Sequence, residues 1–116
     1  MTLERRTSRR FSVVNLELFT QENNQPVGRV VNISLGGLLV YTNVEYGIGE
    51  HHAFVIHFLE VDGNSVDFRF NAKVAWLTQE FSAAEEFALG LQFVEHEALQ
   101  YEFLQKMLHL YAKKEK

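Results

Sequence analysis

The chain has 116 residues, of which 47% are hydrophobic, and a formal net charge of −4. That is the length of one domain with enough apolar content for its own core, so neither global disorder nor a metal- or disulfide-stapled miniprotein is expected. Cysteine is absent, which excludes disulfides, a cysteine nucleophile and thiolate zinc sites and suits a reducing compartment.

The residues after Met1 are polar and basic with no apolar run behind them, so no secretory signal is expected. No uncharged apolar run is long enough for a membrane span, and no membrane insertion is expected. Charge is unevenly placed. Residues 1–10 hold four arginines against one glutamate, +3, while residues 11–116 hold seven Lys and Arg against fourteen Asp and Glu, −7. An acidic body repels nucleic acid backbones, so a nucleic-acid partner is not expected, and the basic arm is read separately.

In chain order, FSVVNLELF (11–19) alternates Val14, Leu16 and Leu18 with polar residues and reads as a strand. TQENNQPVG (20–28) is a polar turn holding the single proline. RVVNI (29–33) and GLLVYT (37–42) are short β-branched strands with NISLGG between them. NVEYGIGEHH (43–52) is a loop; AFVIHFLEV (53–61) is a strand followed by the hairpin signal DGN. SVDFRFNAKVAWLT (65–78) alternates Val66, Phe68, Phe70, then Val74 and Trp76, as one long strand or two. After the connector QEFSAAEEF, ALGLQFV (88–94) is the last strand.

From about Glu97 to Ala112 the period changes. Leu99, Phe103, Met107 and Leu110, widened by Leu104, Leu108 and Tyr111, form the apolar stripe of an amphipathic helix. Glu97 at its start and Lys113–Lys114 at its end suit the helix dipole. About six strands followed by one helix predict a mainly β fold: a small antiparallel barrel or sandwich with the helix laid against it.

Catalytic and metal motifs are incomplete. HEALQ begins at His96 but places Gln100 where a zincin needs its second histidine, and the adjacent His51 and His52 cannot both face one ion from a regular element. NISLG resembles a nucleophile elbow around Ser34, but Asn32 stands at the first glycine position and the segment lies between strands. GIGEHH lacks the third glycine of a dinucleotide fingerprint and precedes a strand. The NIS sequon at Asn32 lacks a secretory context. Neither an enzyme nor a metal or organic cofactor is expected.

Two stretches remain. ERRTSRRF carries Arg5, Arg6, Arg9 and Arg10, four of the six arginines. Guanidinium forks match phosphate oxygens bidentately, stack on flat bases and pair with guanine O6 and N7. Read alone, the stretch is a solvated basic tail, a nucleic-acid arm or a converging anion site. In NISLGG, Asn32 can close an Asx turn, Ser34 can bond nearby backbone, and Gly36 and Gly37 permit positive φ or close approach of a ligand. Read alone, it is equally a plain turn between strands.

Together, Arg6-x-x-x-Arg10 just before the first strand and Asn32-x-Ser34-x-x-Gly37 about twenty residues later resemble the PilZ domain family, bacterial receptors for cyclic di-GMP. Arg5 extends the basic motif, and Arg9 is a further basic neighbour. AKVAWL and FALGLQFV are similar to the family's late and closing strands. Asn32 stands where many members have Asp.

The resemblance implies a six-stranded antiparallel β-barrel with a C-terminal helix, spanning 11–116 behind a flexible arm at 1–10. It implies a cytoplasmic bacterial receptor or adaptor with cyclic di-GMP as ligand and a downstream protein partner. In that reading Arg6 and Arg10 bridge phosphates and guanine edges, Asn32 and Ser34 hydrogen-bond a guanine, and Gly37 lets the ring near the backbone. Trp76 is either a stacking platform or a core tryptophan, and the arm orders on binding. The competing implication is a protein-interaction adaptor of the same fold that binds no nucleotide.

Overall fold

The computed structural model describes residues 10–60, 62–79, 86–94 and 98–112, with the backbone alone for Gln79 and residues 98–101. Seven strands and one helix follow in order: β1 Phe11–Ser12, β2 Glu17–Thr20, β3 Pro26–Ile33, β4 Gly37–Thr42, β5 His51–Leu59, β6 Ser65–Gln79, β7 Phe87–Phe93 and α1 Ala98–Tyr111. All pairings are antiparallel. The order β3-β2-β5-β6-β7-β4 returns to β3, which closes a six-stranded barrel, and β1 adds to the outside edge of β3. Of the barrel and the sandwich that the strand pattern allowed, the barrel is present, as the family resemblance implied.

Alternating inward residues fill the barrel, as expected for so few strands. Leu18, Ile33, Leu38, Ile56 and Leu89 are fully buried. Aromatic rings form the rest: Phe68 stacks on Phe70 at 4.9 Å, and Phe93 meets Phe70 edge-on at 5.3 Å. Rings at these separations add attraction beyond area burial. Helix α1 inserts Leu104 and Met107, both buried, and stacks Phe103 on Phe68 at 5.3 Å. From Phe103 onward the stripe thus packs as its period predicts, and the Leu99 side chain lies outside the described residues. Glu97 and Lys113–Lys114, read as dipole partners, lie outside the described residues.

Three boundaries differ from the sequence reading, each for a local reason. The expected strand 11–19 is broken between β1 and β2. Asn15 sits at φ 64°, a conformation asparagine tolerates better than most residues, and the kink puts Val13 rather than Val14 inside. The freed segment pairs instead with the end of α1, through the Val13–Ala112 bridge and the Val14 amide, which donates to the Tyr111 carbonyl at 3.0 Å. The turn after β2 ends at Gln25, since Pro26 opens β3, a position where its missing N–H is tolerated. His51 and His52, expected in a loop, begin β5.

Residues 65–79 form one strand with a bulge between Val74 and Trp76. The extra residue shifts the inward phase from Val74 to Leu77 and leaves Trp76 41% exposed. Trp76 is not a core tryptophan.

Candidate functional site

Five neighbouring strands, β1, β3, β4, β7 and β6, build the site. The β1–β3 register pairs Phe11 with Ile33 and Ser12 with Asn32, and one step further it sets Arg10 across from Ser34. The β3–β4 hairpin turns through Leu35 and Gly36. The Ser34 amide donates to the Gly37 carbonyl at 2.9 Å, and the Ser34 hydroxyl accepts from the Gly36 and Gly37 amides at 3.2 and 3.3 Å. Ser34 is only 4% exposed. It holds the turn, which answers the backbone role read from NISLGG, and its hydroxyl proton remains available to donate.

Asn32 owes its outward position to a second bulge, between Val30 and Asn32. Strict alternation from buried Val30 would point Asn32 into the core. The bulge instead puts it beside Arg10, whose Nη1 donates to Asn32 Oδ1 at 2.7 Å. That bond uses one of five guanidinium donors and one amide acceptor. Because the partner is neutral, the positive charge of Arg10 is not compensated by it. Two bulges thus re-aim the two residues, Asn32 and Trp76, that periodicity alone would have buried.

The glycines act differently from the sequence expectation. Neither Gly36 nor Gly37 has positive φ; among the described glycines only Gly49 and Gly63 do. A Cβ on Gly37 would overlap the Leu91 carbonyl oxygen of β7, so close strand approach requires this glycine. Gly90, paired with Trp76, has no room for a Cβ because the indole lies across it.

The result is a cavity of about 420 Å³ on the outer face, lined by Arg10, Ser34, Gly36, Gly37, Ala75, Trp76, Gly90, Leu91 and Gln92. Its lining combines glycine and alanine with the guanidinium of Arg10 and the indole of Trp76. Of the residues predicted from sequence, Arg10, Ser34, Gly37 and Trp76 line it, and Asn32 bonds Arg10 at its edge. Arg5, Arg6 and Arg9 lie outside the described residues. Sequence reasoning missed Ala75, Gly90 and Gln92. An isolated glycine within the apolar strand ALGLQFV was the available signal of close approach for Gly90.

A second outward face contrasts with this one. His57 Nδ1 lies 2.7 Å from Asp67 Oδ1 and Nε2 lies 2.8 Å from Asn24 Oδ1, while Arg69 donates to Asp67 at 3.1 Å. The hydrogen bond with His57 foremost, then the nearby positive charge, holds the Asp67 carboxyl below the ordinary carboxylate range. Among the described residues, no group of three or more His, Asp or Glu gathers as a metal site, and no helix is long and apolar enough to cross a membrane.

A family model described as PilZ domain matches residues 4–110. No curated protein matches the chain in a sequence comparison. Among solved structures, the PilZ domain with c-di-GMP of YcgR from Escherichia coli superposes with a TM-score of 0.65 at 19% identity, covering 91% of each chain. YcgR in complex with c-di-GMP from Escherichia coli gives 0.66 at 18% identity, over 90% of this chain and 45% of that one. The Bacillus subtilis inhibitor of motility MotI/DgrA gives 0.67 at 23% identity, over 90% of this chain and 50% of that one. The chain therefore spans about half the length of the latter two, and at these identities the likeness is one of fold. The match over residues 4–110 settles membership: the chain belongs to the PilZ domain family.

Proposed function

We propose that this domain is a cytoplasmic bacterial receptor for cyclic di-GMP, acting through a downstream protein partner and without catalysis of its own. The observation that carries the reading is the convergence of Arg10, Asn32, Ser34 and Trp76 around one cavity in a PilZ family member. Two solved structures of one relative of the fold, YcgR, are complexes with c-di-GMP.

The residue chemistry supports each role. Arg10, oriented by Asn32, has four donors left for phosphate oxygens and a guanine edge. Asn32 keeps its amide donors for guanine O6 or N7, and Ser34 can give its hydroxyl proton. The indole of Trp76 offers a flat face for a base. Gly37, with no side chain, leaves the hairpin backbone open to the ring. Arg5, Arg6 and Arg9 complete the counter-charge, and the arm, residues 1–10, orders around the ligand in front of the barrel domain at 11–116. Ordering costs conformational entropy, which charge-assisted bonds to two phosphates offset.

Calorimetry with cyclic di-GMP and cyclic di-AMP tests the reading. Micromolar or tighter binding of the first and much weaker binding of the second is expected, because adenine lacks O6 as an acceptor. Equal affinities would remove the guanine contacts, and no titration with either would favour the nucleotide-free adaptor. Slower amide exchange over residues 2–9 on addition of ligand is the expected sign of arm ordering; strong protection without ligand would contradict it.

A further inference from the structure

The strand register carries the site further than its cavity lining. Gly37 on β4 pairs with Gln92 on β7, Gln92 pairs with Lys73 on β6, and Lys73 pairs with His51 on β5. Directly paired residues point to the same side of a sheet. Leu91 and Phe93 are buried on either side of Gln92, and Ala72 and Val74 on either side of Lys73, so Gln92 and Lys73 both face outward. Arg10, Ser34, Gly37, Gln92 and Lys73 therefore form one row across the outer face. Lys73 stands two strand spacings, about 10 Å, beyond Gly37.

Lys73 is also distinguished by its lack of side-chain partners among the described residues. The described side chains of the barrel and helix include four Lys and Arg besides Arg10. Arg29 lies over the Tyr41 ring at 5.1 Å, Arg69 bonds Asp67 at 3.1 Å, and Lys106 bonds Glu60 at 2.7 Å. Among the described residues Lys73 has no carboxylate or hydrogen-bond partner, and Gln92 has no side-chain hydrogen bond. Glu50, next in sequence to the register partner His51, is turned to His52 at 2.8 Å. In an acidic protein, an uncompensated ammonium in line with the site is a free anion contact. A carboxamide between it and Gly37 offers both a donor and an acceptor to a purine edge.

We infer that Gln92 and Lys73 extend the site: Gln92 pairs with a guanine edge, and Lys73 meets the phosphate farther from Arg10. The inference rests on the cyclic di-GMP reading and assigns two residues outside both sequence motifs. The relevant ligand chemistry is a cyclic dinucleotide, two purines on a ring with two phosphates, spanning more than one strand spacing. A mononucleotide held at Arg10 would not reach Lys73.

The test is calorimetry on the full chain with cyclic di-GMP. Lys73→Ala should bind about tenfold more weakly, as expected for one charge-assisted contact, and Lys73→Arg within about threefold of the parent. Raising salt to about 1 M should shrink the Lys73→Ala deficit, since the screening length falls to roughly 3 Å. Lys106→Ala, a lysine already paired with Glu60, should leave affinity unchanged. Gln92→Ala should narrow the preference for cyclic di-GMP over cyclic di-AMP. Thermal melts of the free variants should match the parent, since both side chains are exposed. Parent-like affinity of Lys73→Ala, with the parent binding, would overturn this inference and leave the nucleotide reading standing. Absence of binding by the parent would overturn both.

Discussion

Two outward faces of the barrel carry arginine, asparagine and a nearby aromatic ring, and they are built to opposite ends. On the β5–β6 face, His57, Asp67, Arg69 and Asn24 satisfy one another, and the Phe19 ring packs 5.1 Å from His57. On the β3–β4–β7–β6 face, Arg10 has one neutral hydrogen-bond partner among the described residues, the lining is rich in glycine and alanine, and the Trp76 indole is exposed. What separates them is whether donors and cations are used up within the protein or left open over bare backbone, because only open groups repay a ligand's desolvation.

The largest effect that would break this contrast is at Arg10. A charge-assisted bond contributes about 1.5–3 kcal/mol, and Arg10 is assigned more than one, so Arg10→Ala should weaken cyclic di-GMP binding by about a hundredfold or more. Its exposed side chain should leave the melting temperature of the free protein nearly unmoved. A large loss of stability would make Arg10 a structural residue instead. Next comes the indole. Trp76→Ala should cost about 1–3 kcal/mol of binding if a base stacks there, and the fluorescence of this single tryptophan should change on titration of the parent. Unaltered fluorescence at saturation would leave Trp76 out of the site.

The glycine lining is tested at two adjacent positions. Gly37→Ala drives a methyl into the Leu91 carbonyl, a backbone group that cannot swing aside, and should destabilise the fold by about 1–3 kcal/mol in urea unfolding. At Gly36 the nearest atom to an added Cβ is Ser34 Oγ at 3.9 Å, an ordinary contact, so Gly36→Ala should stay within about 0.5 kcal/mol of the parent. Equal costs at the two positions would refute the close-approach explanation.

The smallest effect belongs to the closed face. The folded carboxyl of Asp67 is lowered, chiefly by its hydrogen bond with His57. Its contribution is therefore complete above the ordinary carboxylate value of about 4 and is lost as pH falls through the lowered folded value. Exposure of both side chains keeps it under about 1 kcal/mol. Asp67→Asn should flatten the acid limb of the stability profile slightly and leave nucleotide binding unchanged; a change in binding would join the two faces.

The succession of strands along the chain and the helix were legible because period-two and period-3.6 patterns are local properties of the chain. The motif residues Arg10, Asn32, Ser34 and Gly37 were legible as well, through the family resemblance. The two bulges were not. A bulge adds one residue to one strand and leaves composition untouched, so strict alternation sets Trp76 with Val74 and would set Asn32 with Val30. Gln92 and Lys73 were invisible for a different reason. Their place beside Gly37 comes from pairings among β4, β7 and β6, and register between strands distant in sequence leaves no trace in either strand alone.

Amide chemical-shift mapping of the full chain titrated with cyclic di-GMP tests the central claim most directly. Shifts should concentrate at Arg10, Asn32–Gly37, Ala75–Trp76 and Gly90–Gln92, with Lys73 following, while Asn24, His57, Asp67 and Arg69 stay in place. Shifts centred on the His57–Asp67 face, or none at ligand excess, would contradict it.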